Sequence, residues 1–96
     1  MYCIYITTNR HRTVLYTGIS NNLPRRLAEH EQQLKPDCFT SKYRAWHCIY
    51  FEQYDDIDTA LNREKEIKGW RRAKKIALIE AFNPSWRFLN GEILQG

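Results

Sequence analysis

Arg26 and His30 stand four residues apart in a segment whose leucines recur at Leu23, Leu27 and Leu34. On a helix that spacing turns both side chains the same way. A guanidinium one turn from an imidazole, at the border of an apolar stripe, can grip a phosphate between them. A solvated arginine beside a hydrogen-bonded boundary histidine accounts for the same spacing. Glu64 is a second anomaly, because Ala60, Leu61, Ile67 and Lys68 lie at i−4, i−3, i+3 and i+4 from it. This sets a carboxylate on the more apolar face of its helix, where a charge needs a partner. A salt bridge to an arginine satisfies it. Glu66, on another face, is expected in solvent.

Two stretches rich in Tyr, Ile and Thr, Tyr2 to Thr8 and Thr13 to Tyr16, flank the break at Asn9-Arg10-His11-Arg12 and read as a β-hairpin. Such a hairpin can bring Tyr5 and Tyr16 close on one face, although tyrosines on strands are also common cross-strand packing partners. Asn21-Asn22 supplies a cap and Pro24 a first turn, so a helix is expected from about Leu23 to Leu34. Lys35 to Lys42 reads as a loop, and Lys42 and Tyr43 as loop residues that a phosphate could reach. Ala45 to Tyr54 reads as a buried third strand. Asp56 or Asp58 caps a helix reaching about Lys68, Gly69 ends it, and Arg71 to Phe82 forms a last helix stopped at Asn83-Pro84. The order β-β-α-β-α-α implies an α+β domain, a small three-stranded antiparallel sheet flanked by helices.

The chain has 96 residues, which suits one domain burying about 60–65% of its unfolded surface. No segment approaches the roughly 18 apolar residues that a membrane span requires. Met1 to Ile6 lacks the charged start of a signal peptide, so a cytoplasmic location is expected. Cys3, Cys38 and Cys48 fit neither a zinc site nor a disulfide framework and read as free thiols. Net charge is +4, which suits a polyanionic partner. Residues 63 to 75 hold seven cations, Arg63, Lys65, Lys68, Arg71, Arg72, Lys74 and Lys75, against two acids. They could follow a phosphate backbone, or form a solvated helical surface.

The triplets Cys3-Ile4-Tyr5 and Tyr16-Thr17-Gly18 resemble, with one substitution each, the two signatures of the GIY-YIG nuclease superfamily. Arg26 eight residues past Gly18, the Arg63-Glu64 pair and Asn83-Pro84-Ser85-Trp86 continue the match in order. It covers roughly residues 1–88, leaving 89–96 as a short tail, and is similar to small stand-alone members, like the N-terminal domain of excision-repair nucleases. Cys3 stands where the family has glycine, and Thr17 where it has isoleucine.

The resemblance implies catalytic roles for Tyr5, Tyr16, Arg26, His30, Glu64 and Asn83, with Glu64 as the single carboxylate holding one Mg²⁺ or Mn²⁺ ion. For Asn83, helix-ending and packing roles serve equally well. Tyr5, with Tyr16 or His30, would orient or deprotonate a water, and Arg26 would bind the phosphate oxygens. A free tyrosine titrates near 10, so it needs help as a base, and Arg26 could lower its pKa. Which group takes the proton stays open. Arg25, Lys42, Lys68, Arg71, Arg72, Lys74 and Lys75 are the candidate nucleic-acid contacts. The expected activity is metal-dependent DNA endonuclease, with a non-cleaving nucleic-acid-binding module as the alternative. The expected substrate is branched, flapped or nicked DNA in repair or recombination, cut by a monomer. His11 and His47 have no evident partner in sequence.

Overall fold

The computed structural model describes residues 1–32 and 43–95. Strand β1 (Tyr2–Thr8) lies between β2 (Leu15–Ser20) and β3 (His47–Tyr54), antiparallel to both. Helix α1 (Leu23–Glu31) follows β2, and α2 (Ile57–Lys68) and α3 (Arg72–Phe82) follow β3. The expected α+β order is observed, and a further helix, α4 (Asn90–Gln95), comes from the segment read as a tail. The loop at 35–42, Cys38, and the extension of the first helix to Leu34 lie outside the described residues. No described helix is long and apolar enough to cross a membrane.

The caps act as the sequence suggests. Asn22 accepts a hydrogen bond from the Arg25 N–H at 3.2 Å, and Asp56 caps α2 by accepting from Thr59 at 2.8 Å. Strand β2 differs from its expectation: it begins at Leu15 and runs on through Thr17 and Gly18 to Ser20. Glycine is a poor strand former, yet every residue from Leu15 to Ser20 pairs with β1, and that ladder overrides local preference.

Alternation along β1 divides the core into two halves. Ile4 and Ile6 pack with Ile49, Tyr50, Ala60, Ile67 and Ile79, beneath α2 and α3. Cys3 and Tyr5 pack on the other face with Leu23, Leu27, Cys48 and Leu89, beneath α1, with Ile93 of α4 against them. Cys3 and Cys48 are buried free thiols, and burial pushes the Cys48 thiol up to about 12.

The start of the free edge of β3 is covered by the segment at Leu89 and Asn90. Leu89 N–H donates to the Cys48 carbonyl at 2.7 Å, while Asn90 accepts from Cys48 N–H at 2.6 Å and donates to the Trp46 carbonyl at 2.8 Å. Across β3, Glu52 takes hydrogen bonds from Tyr50, from Tyr54 at 2.9 Å and from Arg63 at 2.6 Å. Burial raises the Glu52 pKa, but these three donors outweigh it and leave it below the ordinary carboxylate value.

Candidate active site

Register explains how the two triplets meet. Tyr5 pairs with Gly18 and Thr7 with Tyr16, so Tyr5 and Tyr16 share the face beneath α1 with ring centroids 6.3 Å apart. A Cβ at Gly18 would lie 2.6 Å from both Cζ and the hydroxyl oxygen of Tyr5, and 3.0 Å from Tyr16. Only glycine lets the Tyr5 ring lie across its neighbouring strand. This steric reason is hidden from sequence because it depends on cross-strand register.

Helix α1 completes the group. His30 is buried in its last turn, with its Nε2 3.0 Å from the Tyr5 hydroxyl, and its ring is 6.0 Å from that of Tyr16. Arg26, one turn earlier, lies beside Tyr5, and this interaction, ahead of an opposing effect of burial, strengthens its hold on its proton. Its Nε is buried without a hydrogen-bond partner. An orphaned buried donor is costly in a folded protein and marks a position where an acceptor belongs. The rest of the guanidinium is part-exposed, 3.7 Å from Glu29. It lines a groove of ≈ 440 Å³ with Arg25, Asn22, Ser20 and Ile57.

Arg26 does not bring Tyr5 below its ordinary pKa. Burial pushes the Tyr5 phenol well above it, and the pull of Arg26 only moderates the rise. A buried phenol against an imidazole therefore keeps its proton at neutral pH and is not a standing phenolate.

Glu64 and Asn83 have their partners outside this group. Glu64 is on α2, whose Ala60 and Ile67 pack beneath the face opposite Tyr5. Its side chain is 16% exposed, as its apolar setting suggested, and its ion-pair partner is Lys68 at 3.2 Å, not an arginine. Glu66, expected in solvent, is 55% exposed and pairs with Arg63. Asn83 is buried and its amide is fully used: it donates to the carbonyls of Ile49 at 3.0 Å and Arg87 at 2.8 Å and accepts from Arg87 N–H at 3.0 Å. It ties α3 to β3 and does not join the Tyr5 group.

Arg25 is exposed, 3.8 Å from Glu29, and Arg71, Arg72, Lys74 and Lys75 cluster where α2 turns into α3. Lys42 lies outside the described residues. His47, without an evident partner in sequence, stacks on Phe88 at 4.1 Å, whereas His11 is exposed.

Among the described residues no three His, Cys, Asp or Glu side chains converge to enclose a metal. Glu64 offers one hard oxygen donor in a shallow hollow beside Asp58 and Asn62. That donor set fits Mg²⁺ or Mn²⁺ bound through a single carboxylate with water and phosphate filling the remainder; it does not fit a closed protein cage.

The hairpin thus packs two tyrosines and a glycine against the helix that carries Arg26 and His30. Residues 1–77 match the GIY-YIG catalytic domain, and the chain belongs to that family. Among curated relatives it is similar to a UPF0213 protein of Syntrophus aciditrophicus, 34% identical over 77 residues, 80% of this chain and 87% of the relative. It also resembles a UPF0213 protein of Natronomonas pharaonis, 34% identical over 76 residues (79% and 87%), and one of Staphylococcus aureus, 36% identical over 66 residues (69% and 79%). No solved structure matches the chain.

Proposed function

We propose that this chain is a metal-dependent endonuclease that hydrolyses DNA phosphodiester bonds, with Tyr5, Arg26 and His30 around the reacting phosphate. The observation that carries this reading is the hydroxyl of Tyr5 set 3.0 Å from His30 Nε2, beside an Arg26 Nε that has no partner. The part-exposed guanidinium of Arg26, which lines the groove, donates to a non-bridging phosphate oxygen and offsets the charge that grows there in the transition state. Tyr5 holds the attacking water; as its oxygen takes the water's proton, its own proton passes to His30 Nε2. Tyr5 thus never stands as a phenolate, in keeping with its raised pKa. Tyr16 packs against Tyr5 from the β2 side. Glu64 is the residue that would hold Mg²⁺ or Mn²⁺, which when bound supplies positive charge for the departing 3′ oxygen.

The substrate class of this reading is branched, flapped or nicked DNA, since a domain this small offers little surface for reading base sequence. The pairing of Glu64 with Lys68 favours a second reading, a nucleic-acid-binding module on the same scaffold that does not cut.

The test is cleavage of labelled single-stranded, duplex, flap and four-way-junction DNA with either metal, by wild type and by Arg26→Ala, Glu64→Ala and Glu66→Ala variants. Cleavage lost in the first two variants and kept in the third supports the nuclease. Binding without cleavage by wild type leaves the second reading.

A further inference from the structure

The cations at the α2–α3 turn do not serve the fold in the way charged helix ends ordinarily do. Lys65 and Lys68, in the last turn of α2, complement the negative end of that helix. Arg71, Arg72, Lys74 and Lys75 instead open α3, where positive charge opposes the helix dipole, and α3 has neither a side-chain cap nor an acid in its first turn. Some of the seven cations of this stretch have structural partners. Arg63 bonds Glu52 and Glu66 and lies 5.0 Å from the Trp70 ring, Lys74 covers the same ring at 4.3 Å, and Lys68 holds Glu64. Lys65, Arg71 and Arg72 are exposed, and no described acid pairs with them. A local cost without a structural return points to a ligand outside the fold.

The position of this corner relative to the groove gives the inference its content. Ile57, at the start of α2, lines the groove that holds Arg26, and Ile57, Leu61, Lys65 and Lys68 follow one another along a single helical stripe. Ile57 and Leu61 are exposed apolar residues and the last two are cations, so the stripe leads from the groove to the basic corner. Eleven residue steps at 1.5 Å separate its ends by about 16 Å. At 3.4 Å per base pair that is about five base pairs of duplex.

We infer that the α2–α3 corner is a second phosphate-binding surface that holds duplex DNA about five base pairs along α2 from the groove that Arg26 lines. This rests on the nuclease reading and adds to it that the substrate must carry a duplex arm on one side of the cut, of at least that length. The arm is held by its backbone, so its sequence is immaterial.

The test measures affinity for fluorescent duplexes of about 4 to 16 base pairs at several salt concentrations. It compares wild type, the combined Lys65→Ala, Arg71→Ala, Arg72→Ala variant, and an Arg10→Ala control from the exposed hairpin turn. The expected result is that the slope of log affinity against log salt falls by about 2.7 in the triple variant, near 0.9 for each phosphate no longer neutralised. The affinity that wild type gains as the duplex lengthens disappears with it, while the control keeps both. A triple variant with the wild-type slope and length dependence would overturn the inference, as would equal wild-type affinity for polyglutamate of matched charge. Cleavage by the same proteins separates the two claims. A triple variant bound and cut like wild type, beside an inactive Arg26→Ala, sinks the corner and leaves the nuclease; length-dependent binding that needs the corner, without cutting by wild type, does the reverse.

Discussion

Position 18 and the Tyr5 ring occupy one space, so the geometry of the proposed site and the absence of a side chain there are a single requirement. Gly18→Ala forces the rigid, fully buried Tyr5 ring away from a Cβ that would lie 2.6 Å from it. The expected outcome is about 1–3 kcal/mol of overpacking cost in a urea titration, with cleavage lost while the variant is still folded. Burial also holds protons on Tyr5 and on Cys48, whose thiol moves from 9.0 to about 12. Both folded groups keep protons that the unfolded chain releases more easily. Their contribution is therefore complete below about pH 9 and lost as pH rises through the folded values. Urea midpoints should fall between about pH 9 and pH 11, and Cys48→Ala should reduce the earliest part of that fall, to which Cys3, also raised by burial, contributes the remainder. Sequence made Arg26 and His30 legible as a pair because helical spacing is local. Their convergence on Tyr5 needed the hairpin register and the docking of α1, both long-range. The direction of the Tyr5 shift was not legible either, since it depends on how completely the ring is enclosed.

At the scale of elements, helix boundaries followed from caps such as Asn22 and Asp56, whose side chains act within three residues. The extent of β2 did not, because Thr17-Gly18 becomes strand only through pairing with β1. The same distinction bears on Asn83. Its place after an apolar helix marked it as a terminus, and the motif it opens implied a supporting catalytic role. One of its three hydrogen bonds joins the end of α3 to β3, a junction that no local pattern encodes, and the other two hold the turn at Arg87. Asn83→Ala leaves a strand carbonyl and the Arg87 N–H without partners and should lower stability by about 1–3 kcal/mol. Cleavage per folded molecule should be unchanged, which a catalytic role would not allow. Asn83→Asp should be worse, because it turns a carboxylate toward two carbonyls; calorimetric melting of the two variants ranks them. Glu64 is the intermediate case: its apolar setting was legible from spacing, whereas Lys68 as its partner was settled by the side-chain packing of α2.

The whole molecule is a sheet with a core on each face, and a 96-residue chain has little stability to spare. The layered architecture was legible because the order and the apolar pattern of the elements leave few alternatives. The closing segment was not, because Leu89 and Ile93 are too few to show a period. Leu89 is nevertheless buried against the Tyr5 side of the core, and Ile93 packs beside it. Ending the chain after residue 88 should cost about 3 kcal/mol or more, from the lost apolar burial and the two Asn90 hydrogen bonds. Circular dichroism melting would show this as a large fall in Tm. The way that segment closes β3 has a further consequence for the molecule among its own copies. An edge sealed by one amide side chain and one backbone N–H can be opened by changing a single residue, since Asn90→Asp sets an acceptor against the Trp46 carbonyl. Once open, the strand offers its backbone to any other extended chain, and the cost would be counted in protein lost to self-association at high concentration.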